Sequence, residues 1–178
     1  KSMSGKVDYG AWWSYSFQRL GGLELKGEDI NAIAPHVESS PGHVRLTNFA
    51  NRRDWTKFAD AYHDPTAGIA LGDTAANAFP VATGPVTYLG QEQVQADVAN
   101  MKAAMEANGF DEGFITAISP GSAARIGNEY YKTEEEFIYA CADALHEEYK
   151  AITDAGLVVQ IDDPAIAENL GQIVPDLS

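Results

Sequence analysis

The sequence predicts an α/β fold with parallel strands. Over about residues 79–166, near-continuous apolar runs alternate with amphipathic helical stretches in the order strand, helix, strand, helix, strand. Glycine or a Pro-Gly pair punctuates most of the changes. Strands that are apolar at nearly every position are buried on both faces, and parallel neighbours need a helix to cross between them. A barrel and an open sheet both satisfy that pattern.

In chain order, "VDYGAWWSYSFQRLGGLEL" predicts a short aromatic-rich helix ended by Gly21 and Gly22. Trp12, Trp13, Tyr15 and Phe17 read as a core stripe in preference to a stacking platform for a planar ligand. Residues 24–50, interrupted by Pro35 and Pro41, read as an extended loop with short strands at 32–37 and 43–48. "DWTKFADAYHD" predicts a helix: Asp54 caps it, Trp55, Phe58, Ala59 and Tyr62 recur at helical spacing, and Pro65 follows.

"FPVATGPVTYL" is the next strand. The helix after it carries Val94, Val98, Met101 and Met105 as one stripe and stops at Gly109. "EGFITAISPG" predicts a strand ending in a turn. The long helix that follows opens with a capping box, Thr133 with Glu136, and its acidic first turn suits the helix dipole. Its stripe is Ile138, Cys141, Leu145, Tyr149 and Ile152; His146 falls on the polar side beside Glu147 and Glu148, and Gly156 closes it. "LVVQI" is the last of these strands.

The chain of 178 residues suits one domain with a real core. Its net charge of −14 argues against a nucleic-acid or anionic-membrane surface, since both need clustered Lys and Arg. No stretch approaches the roughly 18 apolar residues of a membrane span, and the polar start carries no signal-peptide core. One cysteine allows no internal disulfide, so a reducing, cytoplasmic setting is expected.

Chemistry is expected where parallel α/β folds bind ligands, at the C-terminal strand ends. "TGPVTY" (Thr83–Tyr88), "SPGSAAR" (Ser119–Arg125) and "DDPA" (Asp162–Ala165) lie there, and each combines polar groups with backbone-shaping Gly or Pro. Asp162 and Asp163 differ by one position, so they point to opposite faces and do not form a symmetric dyad. Asp162 shares its parity with Gln160 and is the candidate for the pocket; Pro164 then ends the strand. The other strand-end candidates are Thr87, Tyr88, Ser119 and Asp163.

Metal ligation within this chain is not expected. His36, His43, His63 and His146 are scattered, with no His or Cys partner at ligand spacing, and Cys141 sits on an apolar stripe. "LGG" at 20–22 lacks the strand and the lysine of a phosphate-binding loop.

Three stretches carry a resemblance: "FPVATGPVTYLGQEQVQADVANMKAAM", "FITAISPGSAARIGNEYYKTEEEFIYACADALHEEYKAITDAGLVVQIDDPAI" and "VPDLS". They resemble the cobalamin-independent methionine synthase family, and most closely its single-barrel relatives, which include epoxyalkane:coenzyme M transferase-like proteins. The resemblance runs over roughly residues 79–178 and is weaker over 1–65. It implies a (β/α)₈ barrel that transfers a methyl or alkyl group to a thiol, with a small-molecule thiol and an alkyl donor as partners. It also implies zinc, which would hold the thiol deprotonated for attack.

In methionine synthases the first acid of the "QIDDPA" motif lies in the substrate pocket; it corresponds to Asp162, the expected catalytic residue. The resemblance places "GPVT" and "QIDDPA" at strand ends, with Ser119, Thr87, Tyr88, Gln160 and Asp163 as substrate-binding candidates. The second acid of the family motif is usually Glu, so Asp163 suggests a member other than a true methionine synthase. The family's zinc ligands, a His-x-Cys pair, an acid and a further Cys, would all follow residue 178. The expectation is therefore a single domain over 1–178 that is an internal part of a barrel, with an N-terminal strand and the C-terminal half lying outside it. The remainder of the barrel, or a second copy of the chain, would be its macromolecular partner. The rival readings are a zinc-free relative with lyase or hydrolase chemistry, and a non-catalytic small-molecule-binding fragment.

Overall fold

The structure, a computed structural model, describes residues 12–26, 45–46, 57–63, 79–169 and 173–174. In chain order these form α1 (Trp12–Arg19), β1 (Leu20–Lys26), β2 (Arg45–Leu46), α2 (Ala59–His63) and β3 (Phe79–Tyr88). Then come α3 (Gln91–Asn108), β4 (Phe114–Ile118), α4 (Pro120–Ala123), β5 (Gly127–Asn128) and α5 (Glu134–Asp154). The last are β6 (Val158–Asp162), α6 (Pro164–Asn169) and β7 (Ile173–Val174).

The architecture is mixed α/β, and the described strands do not close into a barrel. β1, β3 and β5 make one sheet, β4 and β6 a second, and β2 and β7 a third. The expected run of parallel neighbours from β3 onward is therefore corrected. β4 and β6 are parallel over Phe114–Ile118 and Val158–Asp162, but β3 pairs antiparallel with β1 and parallel only with two residues of β5.

The physical reason lies in Gly21-Gly22. The helix already ends at Arg19, and the two glycines belong to β1, where the register with β3 shifts. Gly22 has φ +78°, and a Cβ there would come within 2.2 Å of the Pro85 carbonyl oxygen. Only glycine lets the two backbones pass this closely. Residues 83–86 of β3 fall opposite the shift and outside the ladder, which accommodates Pro85 without losing a donor. The neighbouring Val86 N–H donates to the Tyr131 hydroxyl at 2.8 Å.

Both long helices end as their sequences predict. At Gly109 (φ +67°) and Gly156 (φ +78°) the chain turns left-handed. Phe110 N–H then donates to Met105 O, and Leu157 N–H to Ile152 O, closing the last turn of each helix. At the start of α5 the Thr133 hydroxyl accepts from Glu136 N–H, while the Glu136 carboxylate accepts from Lys132 N–H, one residue earlier than a capping box places it.

The core gathers Val94 and Val98 of α3, Ile115 and Ala117 of β4, and the buried face of α5. That face is Phe137, Cys141, Ala144, Leu145, Glu148 and Ile152. It corrects the predicted stripe at two places. Ile138 is 40% exposed and Phe137 replaces it, stacked on Tyr131 at 5.5 Å. Glu148, read beside His146 and Glu147 on the polar side, is fully buried. Helix α5 packs against β3, β4 and β6, and so joins the two larger sheets.

The strands expected at 32–37, the Asp54 cap with Trp55, and His36 and His43 lie outside the described residues. No helix among the described residues is long and apolar enough to cross a membrane.

Candidate functional site

The C-terminal ends of β4 and β6 lie side by side. Ile118 is the register partner of Asp162, and Ser119 N–H donates to the Asp162 carbonyl at 2.9 Å. Ser119 then caps α4, its hydroxyl accepting from Ser122 N–H at 3.0 Å. The Ser122 hydroxyl, 2% exposed as a residue, donates to Asp163 Oδ1 at 2.9 Å and accepts from Ala165 N–H at 3.2 Å. One buried serine therefore fixes both the second carboxylate of the Asp pair and the first turn of α6. The strand ends are joined by backbone on one side and by Ser122 on the other.

Tyr149 of α5 holds this junction from below, its hydroxyl donating to the Ile118 carbonyl at 2.5 Å. Burial first, then the carboxylates of Glu148 and Asp163, push the Tyr149 phenol above its ordinary range. It stays a hydrogen-bond donor at any pH at which the fold is used.

A second polar group lies at the end of β3. Tyr88, only 5% exposed, donates to Glu148 Oε2 at 2.6 Å, and Tyr15 donates to Glu148 Oε1. Arg19 reaches Glu148 Oε2 at 3.3 Å and Asp97 Oδ2 at 2.8 Å, and lies over the Tyr15 ring at 5.0 Å. Tyr15, Tyr88 and Arg19 are thus among the groups that hydrogen-bond the buried carboxylate.

The expected site residues separate into two places. Ser119, Asp162 and Asp163 come together at the β4–β6 ends, with Gln160 exposed two residues before Asp162 on the same strand face. Thr87 and Tyr88 end a strand of the other sheet. Thr87 is exposed, whereas the Tyr88 hydroxyl is consumed inside the Glu148 cluster. Tyr88 is linked to the β4–β6 junction through α5, where Glu148 and Tyr149 are adjacent. Ser119 is itself buried and engaged as a helix cap.

Sequence reasoning touched Ser122 only as part of "SPGSAAR" and Tyr149 only as a stripe position, missing the role of each, and it placed Glu148 on the polar side. Glu148 had a usable signal, because it falls three after Leu145 and four before Ile152 on the apolar spacing of α5. A carboxylate there must find partners. A phenol on the same helix face carries a similar demand. Ser122 had none, since its partner Asp163 is 41 residues away.

Among the described residues no three His, Cys, Asp or Glu side chains gather as metal ligands. Cys141 is fully buried with its thiol pushed up to about 12, and His146 is exposed on the opposite side of the helix. These residues do not fit a zinc centre. A shallow recess lined by Tyr131, Thr133, Glu136, Tyr139 and Asp143 lies along the first half of α5 and includes none of the candidate residues.

Comparison with protein-family models, with curated proteins and with solved structures finds no match to this chain.

Proposed function

We propose that the chain is the substrate-binding part of an enzyme that transfers a methyl or alkyl group to a small-molecule thiol, in a cytoplasmic setting. The observation that carries this reading is the junction of β4 and β6. There Asp162 ends a parallel strand, with its backbone tied to Ser119 and the following carboxylate tied to Ser122. Strand ends of parallel α/β folds are where ligands bind, and a fixed backbone supplies the preorganisation a binding carboxylate needs. The "GPVT" and "QIDDPA" resemblance supplies the reaction class.

In that reaction the thiol loses its proton, its sulfur forms a bond to the alkyl carbon, and the donor's leaving group departs with the electron pair of the broken bond and takes up a proton. Zinc, held by residues other than those described, would lower the pKa of the thiol. The residues described here do not furnish its ligands, and none of their roles passes through it. Asp162 contacts the substrate as a charged hydrogen-bond acceptor, and Gln160 offers an amide on the same strand face. Asp163 holds the turn.

The test is turnover of a thiol with a methyl-folate or epoxide donor by the whole enzyme of which this chain is the proposed part, monitored as loss of free thiol. Asp162→Asn should lower turnover by roughly ten- to a hundredfold, the scale of one charge-assisted hydrogen bond, with an unchanged circular dichroism spectrum. Wild-type turnover in the variant would return Asp162 to a structural role.

A further inference from the structure

We propose that Tyr149 is a positioning residue for Asp162, acting through the peptide unit that joins Ile118 to Ser119; the functional part of this inference rests on the assignment of Asp162 above. Both polar groups of that one peptide are engaged. Its carbonyl, from Ile118, accepts from the Tyr149 hydroxyl at 2.5 Å. Its N–H, from Ser119, donates to the Asp162 carbonyl at 2.9 Å.

A trans peptide is a rigid plane, so fixing its oxygen fixes the direction of its N–H. The phenol of α5 thereby sets where the Asp162 backbone sits, without touching Asp162 itself. The link runs from the C-terminal half of the longest helix through the end of β4 to the end of β6. Ser122 holds the next residue, Asp163, at 2.9 Å, so the Asp162 peptide is gripped on both sides. Tyr149 is half-buried, which leaves its hydroxyl no need for a second partner once Ile118 is engaged.

Tyr149→Phe removes the hydroxyl and keeps the ring. Amide hydrogen exchange on the intact chain reads the link directly, with or without substrate. Exchange at Ser119 should accelerate by about tenfold, the scale of one net hydrogen bond, while Val98 in α3 and Leu145 in α5 keep their wild-type rates. In the thiol-alkylation assay the same variant should lower kcat by about tenfold with KM changed less than twofold, and Asp162→Asn/Tyr149→Phe should be no slower than Asp162→Asn alone.

Unchanged exchange at Ser119 would overturn the proposal. So would acceleration at Ser119, Val98 and Leu145 alike, which would make Tyr149 a general support of the fold. Wild-type kcat in Tyr149→Phe beside an impaired Asp162→Asn would overturn the positioning role while leaving the alkyl-transfer reading intact. Faster exchange at Ser119 with an Asp162→Asn variant at full turnover would sustain the link and defeat that reading instead.

Discussion

Cys141 shows how a residue's surroundings decide its chemistry. A thiolate is the form that attacks electrophiles or binds metals, and it is a charge. Cys141 is fully buried on the core face of α5, and burial, helped by Glu134, raises its thiol from 9.0 to about 12. The folded state thus favours the neutral thiol, whereas the unfolded chain ionises near the ordinary value. The contribution of Cys141 to stability is complete below about pH 9 and is lost as pH rises towards about 12. An aromatic disulfide reagent at pH 8 should label the native chain far more slowly than the chain in urea. Equal rates would place the thiol at the surface. The core reading of Cys141 was legible in the sequence because helical spacing alone carries it. The role of Ser122 was not, because a hydroxyl is informative only beside its partner.

At the level of elements, what was legible was local. Gly109 and Gly156 announce helix ends because left-handed closure involves only the last turn, and Thr133 announces a start for the same reason. Pairing between strands is a different matter. β1 and β3 are antiparallel partners some sixty residues apart, and nothing in "LGGLELK" names "FPVATGPVTY" as its neighbour. β5 is two residues long and has no strand signature at all. The misreading of Gly21-Gly22 as a helix stop follows: the same residue type serves a cap and a register shift, and only the facing backbone distinguishes them. That distinction has a measurable consequence. Gly22 and Gly156 both have φ +78°, but a Cβ meets Pro85 O at 2.2 Å at the first and open space at the second. Gly156→Ala should cost about 1–2 kcal/mol, the price of a left-handed alanine. Gly22→Ala adds a backbone clash that β3 must move to relieve, so its loss should be larger by about 1–3 kcal/mol. Urea denaturation of the two variants compares them. Equal losses would mean that the β1–β3 approach is loose.

Across the whole molecule, the Glu148 cluster is the tie that no single element explains. Tyr15 and Arg19 come from α1, Tyr88 from β3, Asp97 from α3 and Glu148 from α5, so one carboxylate gathers four elements around a point inside the core. Burying these charges is expensive, and the attraction between them offsets the cost only while each keeps its partners. Glu148→Ala takes a carboxylate away from the Arg19 guanidinium, itself 1% exposed and still paired with Asp97, and from the Tyr15 and Tyr88 hydroxyls, the second of which keeps the Gly90 carbonyl. A loss of about 3–5 kcal/mol is expected, the scale of breaking a buried ion pair from one side. Tyr88→Phe removes the hydroxyl that donates to Glu148 and to the Gly90 carbonyl and accepts from Arg19, and should cost about 1–3 kcal/mol. The pairwise character is tested by Arg19→Met with Glu148→Leu. If the two charges stabilise chiefly each other, the double variant should lose much less stability than the sum of the Arg19→Met and Glu148→Leu losses. Strict additivity would show instead that Arg19 depends on Asp97 and the Tyr15 ring. The same cluster borders Tyr149 through Glu148 on α5. Loosening it should therefore also speed amide exchange at Ser119, coupling the buried charges of one sheet to the strand ends of the other.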